Sequence, residues 1–352
     1  MKLDLIYDVL TKVYREEEYP ALAEQICQWR GSHPLAGRKI FDATPVFRNT
    51  MMKYAALLEA GAELTVGFGR GIPYDAGIVD FLKKCEVRIA DASALRDCYD
   101  VVLDCAGANT DVKAKYGYVE LTRSGLERYR NCAQPVFLAD NGHIKEIETS
   151  LGTGDGFRRG MIHFGFEDFS GKRIVLFGFG KVGRGIAMYA RRAGAEVVVV
   201  DDVQKVTVPS GMEAVNLKNR SEIESAVQSA WCVVCATGVR NALCGKMDSK
   251  VLVNSPAILV NMGVEDEFGP DVPEERVLNG KKPLNFVLEE PTLLKYIDPT
   301  MALDNDGILE ILEGRVVPGL NNPPACLEEK ILDTVRRAGA VALELDNLEK
   351  MR

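Results

Sequence analysis

The chain has 352 residues, long enough for two domains that each bury their own core. Its 47% hydrophobic and 27% charged residues are those of a globular protein, and its net charge of −8 excludes the basic footprint of a nucleic-acid binder. No apolar run is long enough to cross a bilayer, so no membrane partner is expected, and residues 1–20 carry acids where a signal peptide needs an apolar stretch, which points to the cytoplasm.

Apolar spacing predicts helices over 3–16 and 20–31, broken by Pro34 and Gly37, then a short strand over 38–43. A helix over 49–60 stops at Gly61; a strand over 62–66, a helix over 75–84 and a strand over 87–90 follow. Residues 99–103 (YDVVL) read as a buried strand, 123–131 as a helix and 135–139 as a strand. Strands alternating with helices make a parallel sheet covered on both faces. Residues 152–161 open a helix after a Gly-rich turn and are expected to lead into a second α/β domain. Its later strands lie over 231–236 and 257–261, and a proline-rich turn at 318–324 closes it. Asp304-Asn305-Asp306-Gly307 reads as an acidic turn, too short for an EF-hand loop. A single amphipathic helix over 326–348 ends the pattern.

The most informative stretch is 171–201. A strand, Ile174 to Phe177, runs into Gly178-Phe179-Gly180-Lys181-Val182-Gly183; a helix follows, and a second strand ends at Asp201. Gly178 permits the tight turn, Gly180 lets the backbone approach a pyrophosphate, and Gly183 lets helix pack closely on strand. The helix N-terminus then offers free N–H groups to phosphates. Asp201, 18 residues after Gly183, suits a ribose 2′-hydroxyl and repels a 2′-phosphate, which makes the expected cofactor NAD. The expected fold is therefore α/β with two doubly wound parallel-sheet domains, the second a Rossmann NAD-binding domain. Residues 1–155 form the substrate domain, to which a C-terminal helix (325–352) returns, and residues 156–324 form the NAD domain.

Nine cysteines are scattered without a disulfide framework, and Cys232 and Cys235 sit in a strand where residues three apart face opposite ways. With only three histidines, no metal site is expected. Asp104 ends a strand where open α/β sheets bind ligands, and reads either as an acceptor for a substrate hydroxyl or as a turn cap. Cys105 beside it reads as a small core residue, because no base is evident to activate it. His143 is a candidate acid–base residue or a turn histidine. Arg48, Asn49 and Thr50 open a helix and suit a carboxylate or phosphate, which hints at a small polar, anionic substrate.

Taken together, these segments resemble the S-adenosylhomocysteine hydrolase family from about residue 20 to 345. PLAGRKI, LLEAGAEL, VVLDCAGAN, GYVELTRSGLERYR, PVFLADNGHIK, GKRIVLFGFGKVGRG, CATG, VNMG and EGRVV carry the likeness, in the family's order. The resemblance implies a bound NAD that oxidises a substrate hydroxyl, assists elimination and is reoxidised at the end of the cycle. It also implies a homo-oligomer, dimer or tetramer. It places Thr122, Ser124, Thr237 and Asn261 with the glycine-turn residues as cofactor contacts, and Lys145 as the catalytic lysine, whose neutral form burial and a nearby NAD⁺ would favour. Arg123 replaces a family threonine and would bind a substrate anion or reshape the pocket. The family's acids and bases are replaced by Pro45, Cys105, Leu121, Thr149, Ser150 and Val264. Elimination and hydration need such groups, whereas hydride transfer needs a positioned cofactor and one base. The leading expectation is an NAD-dependent oxidoreductase acting on a hydroxyl of a small polar substrate, with Lys145 or His143 as base. The alternatives are an NAD-using hydrolase or lyase acting on a nucleoside or thioether, and an NAD-bound regulatory protein without chemistry.

Overall fold

The computed structural model describes residues 3–69 and 72–349. The chain divides into two compact units, one of residues 1–147 with 293–342, the other of 148–292 with 343–352.

In the first unit α1 (Leu3–Val13) and α2 (Pro20–Ser32) precede β1 (Lys39–Asp42), α3 (Thr50–Glu59), β2 (Glu63–Val66), α4 (Ala76–Lys84) and β3 (Arg88–Ile89). Then come β4 (Cys98–Asp104), β5 (Lys113–Glu120), α5 (Leu126–Tyr129) and β6 (Pro135–Leu138). Local chemistry sets these bounds. The Asp75 carboxylate caps α4 by accepting from Gly77 and Ile78 N–H, and Gly61 turns the chain at φ +84° between α3 and β2. The sheet is seven-stranded and parallel, in the order β12-β6-β5-β4-β1-β2-β3, where β12 is Gly319–Asn321. Phe41, Tyr99, Val102, Tyr118, Tyr129 and Val136 form part of its core.

The second unit holds α6 (Thr153–His163), β7 (Arg173–Phe177), α7 (Lys181–Arg192), β8 (Glu196–Asp201) and β9 (Glu213–Asn216). It continues with α8 (Arg220–Gln228), β10 (Cys232–Cys235), α9 (Ser249–Asn254) and β11 (Ile258–Asn261). Its parallel sheet runs β11-β10-β7-β8-β9, so chain order reverses on the two sides of β7 and a crevice opens at its C-terminal end. Val175, Phe177, Val198 and Val233 pack on one face of this sheet, and Ile174, Leu176, Val199 and Val234 on the other. Cys232 and Cys235 are free and buried, and burial raises both thiols well above their usual range.

The chain then returns to the first unit through α10 (Leu294–Leu312), β12 and α11 (Ala325–Ala338), and α12 (Ala342–Glu349) follows. Here the sequence reading needs four corrections. The expected unit boundaries at 155/156 and 324/325 fall instead at 147/148 and 292/293, because α10 and β12 pack with the first sheet. The acidic turn 304–307 is the interior of α10, a helix with 14 of its 19 residues buried. The proline-rich turn contains β12, which pairs with β6. The single last helix is two, parted at Gly339. Residues from 343 onward belong to the second unit, where Glu344 accepts from the Tyr189 hydroxyl at 3.0 Å. The end of the expected 325–352 helix, residues 350–352, lies outside the described residues.

Candidate functional site

In the second unit, Gly178 sits at φ +92° at the end of β7, where a side chain would be strained and a Cβ would overlap the Ala236 carbonyl oxygen. A Cβ at Gly183 would overlap the carbonyl oxygen of Gly178, so this glycine lets α7 pack against the turn. Gly180 differs: a Cβ there would meet nothing within 4 Å. Its smallness is not required by packing within the chain, and open space there suits close approach of a ligand. Gly180 is also the N-cap of α7 and supplies no side-chain cap, so the first-turn N–H groups, from Lys181 to Gly183, lack helical partners. Asp201, at the end of β8, is tied to this turn: its carboxylate accepts from Phe179 N–H and Asp202 N–H, both at 2.6 Å.

The neighbouring strand ends are held by a carboxylate absent from the sequence reading. Glu267 is buried and accepts from Thr237 N–H and Oγ1 (2.7 Å each) and from Gly238 N–H (2.8 Å). Burial raises its proton affinity, against the pull of those hydrogen bonds. Asn261, at the end of β11, donates through Nδ2 to the carbonyl oxygens of Gly263, Glu265 and Lys281 at 2.6–2.9 Å. Its Oδ1 is buried with no hydrogen-bond partner, an acceptor that a ligand donor would satisfy. Val264 is 82% exposed.

In the first unit three neighbouring strands end in buried carboxylates: Asp42 on β1, Asp104 on β4 and Glu120 on β5. Of the two readings of Asp104, its hydrogen bonds are those of a turn cap: it accepts from Cys105 N–H, Asn109 N–H and Asn109 Nδ2 in the turn that follows it, and from the Tyr129 hydroxyl of α5. Glu120 accepts from Ala106 and Gly107 N–H and from Thr122 N–H and Oγ1, and burial pushes it up to about 7. Thr122 in turn lies 3.0 Å from the Ser124 hydroxyl.

Lys145 lies in the turn after β6. It is 3% exposed, and its Nζ donates to the Leu121 carbonyl oxygen at 3.0 Å and stands 3.8 Å from Asp140. Glu328 of α11 fixes that turn by accepting from Ile144 N–H at 3.0 Å, and a Cβ on Gly142 would overlap its carboxylate. His143 is exposed two residues away, and Arg123 and Ser124 are exposed too. Of the expected anion site, Asn49 and Thr50 are buried, and the Thr50 hydroxyl donates to the Pro45 carbonyl oxygen at 2.7 Å; only Arg48 remains partly exposed. Asn49 and Thr50 therefore shape the turn before α3. Among the described residues no group of three or more His, Cys, Asp or Glu is placed to hold a metal ion, and no helix is long and apolar enough to cross a membrane.

The glycine turn at the switch point of a doubly wound sheet, the uncapped helix behind it and the acid at the end of β8 define a dinucleotide-binding protein, and its cofactor is NAD. Residues 155–274 match the family model described as S-adenosyl-L-homocysteine hydrolase, NAD binding domain. The adenosylhomocysteinase of Thermoplasma acidophilum is 23% identical over 312 residues, spanning 79% of this chain and 74% of that one. The S-inosyl-L-homocysteine hydrolase of Methanopyrus kandleri is 26% identical over 262 residues, 65% of this chain and 61% of that one. Among solved structures, the transhydrogenase from Sinorhizobium meliloti superposes with a TM-score of 0.46 at 12% identity, covering 81% of this chain and 97% of that one. The chain is thus similar to adenosylhomocysteinases at low identity, and the match to the family model lies within its NAD-binding unit.

Proposed function

We propose that the protein is an NAD-dependent enzyme on an adenosylhomocysteinase-like scaffold that oxidises a hydroxyl of a small polar substrate. The observation that carries this reading is Lys145, an amine buried at the C-terminal edge of the first sheet in a chain that also holds an NAD-binding unit. NAD, when bound, supplies the hydride acceptor. Lys145, as the neutral amine, takes the hydroxyl proton as the C–H hydride departs, so an alcohol becomes a ketone and the amine an ammonium. Cofactor contacts are proposed for Gly178, Gly180, Lys181, Val182, Gly183 and Asp201, with Thr237 and Asn261 at the neighbouring strand ends and Thr122 and Ser124 from the first unit. Arg48 and Arg123 are proposed to meet an anionic group of the substrate.

A second reading, supported by the named activities of the two relatives, is a hydrolase or lyase in which oxidation is transient and NAD is restored. The two readings separate by the fate of the cofactor. The NAD-loaded protein is mixed with a panel of nucleosides, nucleosidyl thioethers and small hydroxy acids while NADH absorbance and products are followed. Net NADH in step with ketone supports the dehydrogenase; product with only a transient NADH signal supports the second reading. Tight NAD with no turnover across the panel overturns both and leaves a binding role.

A further inference from the structure

We propose that Lys281 is a positioning residue for the cofactor site: its carbonyl oxygen and its ammonium hold the Asn261 amide in one orientation, so that Asn261 Oδ1 meets the cofactor only as a hydrogen-bond acceptor. This inference rests on the reading of Asn261 as a cofactor contact.

An amide side chain can ordinarily turn over, exchanging its oxygen for its nitrogen. At Asn261 it cannot. Its Nδ2 faces three carbonyl oxygens, those of Gly263 at 2.9 Å, Glu265 at 2.8 Å and Lys281 at 2.6 Å. The two N–H bonds of the amide are spent on them, and a turned amide would set Oδ1 against three other oxygens. Asn261 is fully buried, so solvent cannot relieve that repulsion. Oδ1 is thereby fixed away from the three carbonyls, and it has no hydrogen-bond partner within the chain. A buried acceptor left alone costs free energy, so it calls for a donor. An O–H or N–H of the cofactor fits it; a phosphate or carboxylate oxygen does not.

Of the three carbonyls, that of Lys281 comes from the most strained backbone. Asn279, Gly280 and Lys281 follow one another at φ +57°, +56° and +61°, a left-handed turn. Asparagine and glycine tolerate that region, whereas a lysine occupies it at a cost. Asn279 braces the turn by donating from Nδ2 to the Pro283 carbonyl oxygen at 2.8 Å. Lys281 is held by its own side chain, which is 13% exposed: Nζ donates to Asp266 Oδ2 at 2.9 Å and to the Gly269 carbonyl oxygen at 2.7 Å. Asp266 is in turn locked in its loop. Its Oδ1 accepts from Phe268 N–H at 3.0 Å and Gly269 N–H at 3.1 Å, and its carbonyl oxygen accepts from Asn241 N–H at 2.8 Å. Loop 263–269 is therefore tied on one side to the segment after β10 and on the other to Lys281. Strained backbone persists only where the surroundings over-determine it. From this conformation Lys281 reaches Asn261 with its carbonyl and Asp266 with its amine, and so joins the amide to the braced loop.

The test is a double-mutant cycle on the full chain, read as NAD affinity by calorimetry, with melting curves to check that each variant folds. Asn261→Ala is expected to weaken NAD by about tenfold, the effect of one buried hydrogen bond. Lys281→Met is expected to weaken NAD by about threefold or more in the wild-type background, and to weaken it no further in Asn261→Ala. A residue that merely steadied the fold would cost the same in both backgrounds; that result overturns the proposal, and so does an unmoved affinity in Lys281→Met. If Lys281→Met does not fold, Lys281→Gly takes its place in the cycle, since glycine accepts the left-handed turn and the change removes the amine. Unchanged affinity in Asn261→Ala would remove the reading of Asn261 as a cofactor contact. Weakened NAD there beside an unmoved Lys281→Met would remove only the role of Lys281.

Discussion

The C-terminal edges of the two sheets share one device and put it to different ends. In each a buried glutamate gathers turn N–H groups and one threonine: Glu120 with Ala106, Gly107 and Thr122, Glu267 with Thr237 and Gly238. Around Glu267 stand an uncapped helix start, an open face at Gly180 and the orphan side-chain amide oxygen Oδ1 of Asn261. Around Glu120 stand side-chain charges, with Lys145, Lys53, Asp42 and Asp304 buried in the same unit. A cofactor held by amides and shape can be built from one local stretch of chain. Proton handling needs charges balanced across elements far apart in sequence.

The contrast can be broken most sharply at Lys145. Lys145→Ala is expected to lower turnover by about 10²–10⁴-fold, the range for a lost general base, while NAD affinity measured by calorimetry stays unchanged. Next come the two glycines. Gly180→Ala should leave the melting temperature near wild type and weaken NAD by about tenfold or more, since its methyl group meets only the ligand's space. Gly183→Ala should instead lower the melting temperature, because its methyl group meets the Gly178 carbonyl within the chain. Equal behaviour of the two would erase the distinction drawn at this turn. Asp201→Ala is expected to cut the preference for NAD over NADP by about tenfold, or about 1.4 kcal/mol, in paired titrations.

The smallest effect concerns Asp298, which burial pushes up to about 7 while it caps α2 from 276 residues away. Its proton affinity is raised on folding, so its contribution to stability is full below the ordinary aspartate range and is lost as pH rises through about 7. Melting curves of wild type and Asp298→Asn should therefore differ most in acid, by about 1 kcal/mol for a lost cap, and converge as pH rises. A gap that widens with pH would contradict this.

The same contrast explains what could be read from the residues. The NAD unit was legible because strand, glycines, helix and acid follow one another within 171–201, and each glycine has a local reason. Helix α10 was not. Buried on most of its surface, it shows no amphipathic stripe, and Pro299, Gly307 and the polar run 304–306 imitate a turn. With α10 hidden, Asp304 had no visible partner, although Lys53 lies 251 residues before it in the chain. Glu267 and Glu328 were missed for a related reason: a carboxylate that serves distant N–H groups has no motif of its own. The likeness to the family, in turn, marked Lys145 by position but could not show that its amine is buried against the Leu121 carbonyl oxygen.

The first unit is sewn from two stretches of chain with the whole stretch 148–292 between them. During synthesis, β1 and α3 leave the ribosome long before α10, which brings the second carboxylate for Lys53 and the cap for α2. Domains tend to fold as units as they emerge. The NAD-binding sheet, though second in the chain, can therefore complete first. The lysine-bearing sheet must wait as an unfinished half, open to chaperones, until residues 294–312 arrive to close it.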